Sequence, residues 1–234
     1  MDMTRTTGLL VVVCLGLGMA SPVRAENAAE PVQAATLAEP DWRVGNPVAD
    51  QLGGGADAGR WSVAVSGGWA WSALRGQYGF GSRLAALAQV ETALGFRFQP
   101  AAGLGVRLLS HKHARIAAEG LFGWLFQLGE LEKRGPTLEA RVRFAFPAGR
   151  VVPYVLLGTR HAILSDRTSI ERASGSTSKY TVRHEWTPWL GAGLGAVITK
   201  NVGLELGLDY GWVDAPETVV IPGFHLAVLV GGGR

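Results

Sequence analysis

Residues Val202 to Val213 (VGLELGLDYGWV) alternate with a period of two. Leu204, Leu206, Leu208, Tyr210 and Trp212 share one side of an extended chain, and Gly203, Glu205, Gly207, Asp209 and Gly211 share the other. Successive side chains of a strand point to opposite faces. One face is therefore oily and ends in aromatics, while the other is glycine and carboxylate. A soluble sheet turns its oily face into a core. A membrane barrel turns it toward lipid and keeps the small or polar face in the lumen.

The same alternation recurs along the chain. In Trp61 to Ser72 the outward candidates are Trp61, Val63, Val65, Trp69 and Trp71. Further strands are predicted over Val90–Leu109, Ala114–Phe126, Thr137–Phe146, Val151–Leu164, Trp186–Ile198 and Phe224–Val230. With the Val202 strand this predicts an all-β, antiparallel up-and-down transmembrane barrel of eight strands, with ten possible, an even number in either case. Val90–Leu109 is taken as one protruding strand with an irregularity at Pro100; a turn at Gln99–Ala102 is the alternative. The segments Ser110–His113, Pro147–Arg150 and Lys200–Asn201 read as short periplasmic turns, and Leu128–Pro136 and Ser165–Arg183 as outer loops. Trp69, Trp71, Trp124, Trp186, Tyr210, Trp212 and Phe224 then fall near the outer interface, and Trp61, Phe144, Phe146 and Tyr154 near the inner one.

Three segments are expected in the 234 residues. Residues 1–25 read as a cleaved signal peptide, with Arg5, the apolar run Gly8–Ala20 and a small-x-small site at Val23-Arg24-Ala25. Residues 26–59, rich in Ala, Pro and Gly, read as a flexible periplasmic segment, and 60–234 as the barrel. Cys14, the only cysteine, lies in the expected leader, which leaves no disulfide framework or cysteine metal site in the mature chain. The formal charge of +3 and the lack of a basic run argue against nucleic acid as a partner.

The signal peptide, the segments GFRF (Gly95–Phe98), EARVRFAF (Glu139–Phe146) and VPYVLLG (Val152–Gly158), and the hairpin Trp189–Asp214 resemble the small outer-membrane barrels of the OmpA-like and opacity-protein-like group. The resemblance spans roughly Arg60 to Val230. It implies eight antiparallel strands, location in the outer membrane of a Gram-negative bacterium, and assembly by the outer-membrane insertion machinery. The group ends its last strand in an aromatic residue; here the chain reads Val228-Leu229-Val230 followed by Gly231-Gly232-Gly233-Arg234.

Nine charged residues take the inward parity: Arg97, Arg107, Arg115, Glu119, Glu139, Arg141, Arg143, Glu205 and Asp209, with His225 among them. A salt-bridged lumen that keeps the barrel closed is expected, because buried charges must be paired. A gated ion path is the sharper alternative. His111 and His113 fall in a presumed turn, where solvation is preferred over metal binding, and no metal or cofactor is expected. His161 and His184 border the expected outer loop Ser165–Arg183, whose Arg167, Arg172, Lys179 and Arg183 are candidates for contact with lipopolysaccharide phosphates. No hydrolase motif accompanies these histidines, so no catalysis is expected. The predicted role is structural or one of surface interaction, with outer-membrane lipid and lipopolysaccharide as partners and the oligomeric state left open. The alternatives are a narrow channel for ions or small solutes, a lipid-modifying barrel enzyme, and a soluble lipocalin-like barrel with the opposite facing.

Overall fold

The computed structural model describes residues 46–53, 55–69, 71–93, 97–127, 132–172, 175–213 and 219–233. The expected signal peptide, residues 26–45 of the expected flexible segment, and the side chains of Arg167, Arg172, Lys179 and Trp212 lie outside what it describes.

Ten strands follow one another in the chain: β1 Arg60–Trp69, β2 Trp71–Gly79, β3 Leu84–Ala93, β4 Arg97–His111, β5 Ala114–Gln127, β6 Glu132–Ala145, β7 Val151–Arg172, β8 Gly175–Val197, β9 Val202–Val213 and β10 Val219–Gly233. Each pairs antiparallel with its sequence neighbour, and β10 closes the ring on β1 from Arg60↔Gly233 to Trp69↔Phe224. Closure leaves no sheet edge unpaired. The barrel has a near end, at which β1 begins and β10 finishes, and an opposite, far end.

The count is ten, the number held open beside the preferred eight; the two further strands, β2 and β3, lie mostly between the predicted segments Trp61–Ser72 and Val90–Leu109, and each of these segments contains a reversal. Gly67 pairs with Ser72, so the chain turns back within Trp61–Ser72. A Cβ on Gly68 would stand 1.8 Å from the Phe224 main-chain oxygen, so this corner fits only glycine. The reversal also changes the facing of the residues beyond it. Trp69 is exposed, whereas Trp71, expected outward, lines the interior. Within Val90–Leu109, Ala93 pairs with Arg97. Gln99–Ala102, the alternative turn, and Pro100, the expected irregularity, instead lie within β4 and pair with Ala88–Glu91 of β3.

Two predicted loops are largely strand. β6 already begins at Glu132. β7 and β8 stay paired through Arg172↔Gly175, so Ser165–Arg183 is the far part of a long hairpin. A membrane-crossing strand needs about 9–11 residues. At 22 and 23 residues, β7 and β8 are about twice that length.

The oily parity faces out. Leu104, Phe122, Leu138, Leu157, Leu194, Leu206 and Leu226 are all exposed, on seven consecutive strands; Phe122 reaches 63% and Leu138 60% exposure. Exposed Trp61, Tyr78, Phe80 and Phe146 lie toward the near end. Exposed Trp69, Phe98, Trp124, Phe126, Trp186, Tyr210 and Phe224 lie toward the far end. Tyr154, placed in the inner band by sequence, is corrected: it points inward and is buried.

The expectation of a flexible segment over 26–59 fails for its described part. Pro47–Leu52 form a helix, α1, with every residue buried. Asn46 caps it by accepting from the Ala49 N–H at 2.9 Å, and Pro47 sits in the first turn, where its missing N–H costs nothing. Val48 and Leu52, one turn apart, pack with Ala64, Ala145, Val152, Val197 and Leu229 inside the near end. Gly195 and Gly203 make room for them. A Cβ at Gly195 would stand 2.5 Å from Leu52 Cδ1, and one at Gly203 2.2 Å from Val48 Cγ2.

Candidate functional site: a plugged, charge-lined interior

Inward parity places polar side chains of all the central strands in one confined space. Ten strands leave more interior than eight, and charge, helix and cavity share it.

The main ion-pair cluster joins strands far apart in the chain. Arg75 of β2 reaches Glu119 of β5 at 2.6 Å, and Arg143 of β6 stands 3.9 Å from the same carboxylate. Arg141 pairs with Glu139 beside it and with Glu91 of β3 at 2.7 Å. Arg160 of β7 bridges the same two acids, at 2.6 Å to Glu91 and 3.0 Å to Glu139. Two aromatic faces add to this: Arg141 lies 5.0 Å from the Trp189 ring centroid and Arg143 5.8 Å from that of Tyr154. A charge removed from water is tolerated only with such compensation.

A smaller cluster occupies the opposite wall. His225 of β10 bonds Asp209 of β9 at 2.8 Å and stands 3.6 Å from Glu205. Lys133 and Glu185 pair at 2.9 Å nearer the far end.

At the near end the charges hold the plug. Arg143 donates to the Gln51 carbonyl, and Arg107 to the Gly55 carbonyl. Arg107 also pairs with Asp57 at 2.7 Å, and Arg60 with Asp50 at 3.3 Å. Gln51 Nε2 donates to Ser62 Oγ at 3.1 Å. Burial pushes the Asp50 carboxyl up to about 6; Arg60 pulls in the other direction without cancelling it.

Above α1 a cavity of about 170 Å³ extends from Gln51 to Trp71 and Ser72. Arg75, Glu91, Arg97, Arg141, Arg143 and Arg160 line one side, and Glu205, Asp209 and His225 another, with Tyr154, Trp71 and Trp189 between them.

All nine sequence-derived lumen residues occupy the inward parity. Glu119, Glu139, Arg141 and Arg143 join the main cluster, and Glu205 and Asp209 the His225 cluster. Arg107 serves the plug, Arg115 is buried near it beside Gly53, and Arg97 lines the cavity. Sequence reasoning missed Arg75, Glu91 and Arg160. Glu91 already had the inward parity. Arg75 comes after the undetected first reversal, and Arg160 sits in Val151–Leu164, which is apolar at both parities so that its sequence does not assign a face. On the outer side, Arg183 is exposed, and the His161 and His184 rings stack beside Trp186 with a nitrogen–nitrogen distance of 3.3 Å. His111 and His113 are exposed in the β4–β5 turn. Among the described residues no group of three or more metal-ligating side chains comes together.

No family model and no curated protein sequence matches the chain. Solved structures with a similar strand arrangement include Ail, the attachment invasion locus protein of Yersinia pestis, in complex with the heparin analogue sucrose octasulfate. It is 14% identical over 75% of this chain and 99% of its own, with a TM-score of 0.38. Neisserial surface protein A is 14% identical over 76% and 98%, with a TM-score of 0.36. The N-terminal barrel domain of Pseudomonas aeruginosa OprF is 13% identical over 74% and 96%, with a TM-score of 0.34. At these values the likeness adds no argument to the strand pairing, which by itself defines the closed barrel.

Proposed function

We propose that this protein is an outer-membrane barrel of a Gram-negative bacterium, non-catalytic and closed to free conduction, whose long hairpin makes surface contacts. The observation that carries the reading is the outward face. A closed barrel with exposed Leu and Phe on seven consecutive strands, and exposed aromatics toward both ends, suits lipid as its solvent. Water would leave that surface as a large aggregation-prone patch. The opposite facing, which a soluble lipocalin-like barrel needs, does not fit it.

The near end is then periplasmic, because the long β7–β8 hairpin projects from the other end. Arg167, Arg172, Lys179 and Arg183 belong to that hairpin and suit lipopolysaccharide phosphates. Closure rests on α1 and on the ion pairs above it.

The test is a boiled-versus-unboiled gel of protein from the outer-membrane fraction, followed by planar-bilayer recording. A heat-dependent mobility shift with no steady conductance supports the reading. Recovery from the soluble periplasm without a shift overturns it. Steady conductance of the full chain would favour the second reading, a narrow pore, which draws on the cavity above α1.

A further inference from the structure

One cation in the lining of the cavity above α1 lacks a direct partner among the described residues. Each lining carboxylate has a direct cationic partner: Glu91 has Arg141 and Arg160, and Glu205 and Asp209 share His225. The lining arginines are matched too, with one exception. Arg97 has no ion-pair or hydrogen-bond partner among the described residues, and its buried Nε has no acceptor. The carboxylates of Glu91, Glu139 and Glu185 act on it only from beyond ion-pair distance. A guanidinium inside a barrel without a direct acceptor is costly, and the cost is relieved by one that its fork can grip.

The surroundings specify more than charge. Arg97 and Trp71 line a common cleft at the far end of the cavity. Their strands β2 and β4 flank β3, where Ala93 pairs with both residues. β9, which carries Glu205 and Asp209, stands five positions from β4 in the ring of ten, on the opposite wall. Those acids are already engaged with His225, so the open valence is the cationic one. The volume of about 170 Å³ holds on the order of ten non-hydrogen atoms. α1 fills the near end, and the cavity extends from it toward Trp71 and Ser72.

We propose that this cavity binds a small organic anion, a carboxylate or phosphate on a planar apolar body. Arg97 takes the oxyanion and Trp71 takes the body. This goes beyond the structural role proposed above and depends on the barrel interior alone, so it stands whether or not the hairpin contacts lipopolysaccharide.

The experiment is a tryptophan-fluorescence titration of the full barrel in detergent micelles, with benzoate, phenyl phosphate and benzylamine as probes. The gel mobility shift reports folding of each variant. Saturable quenching by benzoate or phenyl phosphate is expected, with benzylamine at least about tenfold weaker, because a charge-assisted fork is lost. Which anion binds more tightly decides between carboxylate and phosphate. Arg97→Gln should weaken the better anion about tenfold or more. If that variant does not fold, Arg97→Lys is used in its place. It keeps the charge but loses the fork, and should weaken binding several-fold. The proposal is overturned if neither anion saturates below about 10 mM, a concentration at which even millimolar affinity would show. Equal binding of benzylamine also overturns it, as does unchanged anion affinity in a folded Arg97 variant.

Discussion

Arg75 of β2 and Glu119 of β5 meet at 2.6 Å across the barrel interior, three strands apart in the ring and 44 residues apart in the chain. The Glu119 side chain is 1% exposed. The contact is a strut between walls that the backbone ladder does not connect directly. Removing one partner strands the other, and a broken buried pair costs about 3–5 kcal/mol. Glu119→Ala should therefore lower the urea midpoint of the detergent-solubilised barrel, since it also deprives Arg143 of its nearby acid. The double variant Arg75→Met/Glu119→Leu should recover much of the loss. A double variant no more stable than Glu119→Ala would show that the pair is not the source of the effect.

Plug and wall are fitted to each other at Gly195. A side chain there would meet Leu52 and Val48 at 2.5 and 2.7 Å. Gly195→Leu should push α1 out while leaving the outward face untouched. The expected outcome is a barrel that still shifts on heating but opens steady conductance in planar bilayers. Conductance no higher than that of the parent would mean that the ion pairs above α1 suffice to close the lumen.

The docking of α1 should depend on pH through Asp50. Burial raises its carboxyl from 3.8 to about 6 in the folded state, partly offset by Arg60 and Arg107 and reinforced by the nearby Asp57. The folded state thus holds a proton that the unfolded chain has released between these two values. This contribution to stability is fully present below about pH 4 and is lost as pH rises through about 6. Its size is on the order of 3 kcal/mol. Proteolysis of the α1 segment should be slower at pH 5 than at pH 7.5, and Asp50→Asn should remove most of that difference. A wild-type rate that does not change with pH would count against this role.

The outward face sets a further test. Leu138 lies midway along β6 and is exposed. Arginine at the bilayer midplane of a barrel costs about 2–4 kcal/mol. Leu138→Arg should reduce the fraction recovered folded in the outer membrane, whereas Leu138→Val should not. Equal recovery of all three proteins would speak against lipid at this face.

Much of the barrel was legible because a period of two is a local property. Leu204, Leu206 and Leu208 declare one face and Glu205 and Asp209 the other, whatever the rest of the chain does. Strand existence, outward oil and inward charge are consequences of that alone. Strand number was less legible. A two-faced pattern such as Trp61–Ser72 reads through a tight reversal, and only the pairing of Gly67 with Ser72 reveals the corner. Hence Trp71 received the wrong face and Arg75 was not found.

The sequence by itself determined the class of fold and the polarity of its two surfaces, because both depend on neighbours one and two residues away. Tertiary structure decided what lies inside. α1 has six residues, too few to be stable alone, and it persists because Val48 and Leu52 fit beside Gly195 and Gly203, about 150 residues away in the chain. The partners of the buried charges were decided in the same way. Glu91, Glu139, Arg141 and Arg160 become one network only when the ring closes and a low-dielectric interior forces each charge to find its opposite.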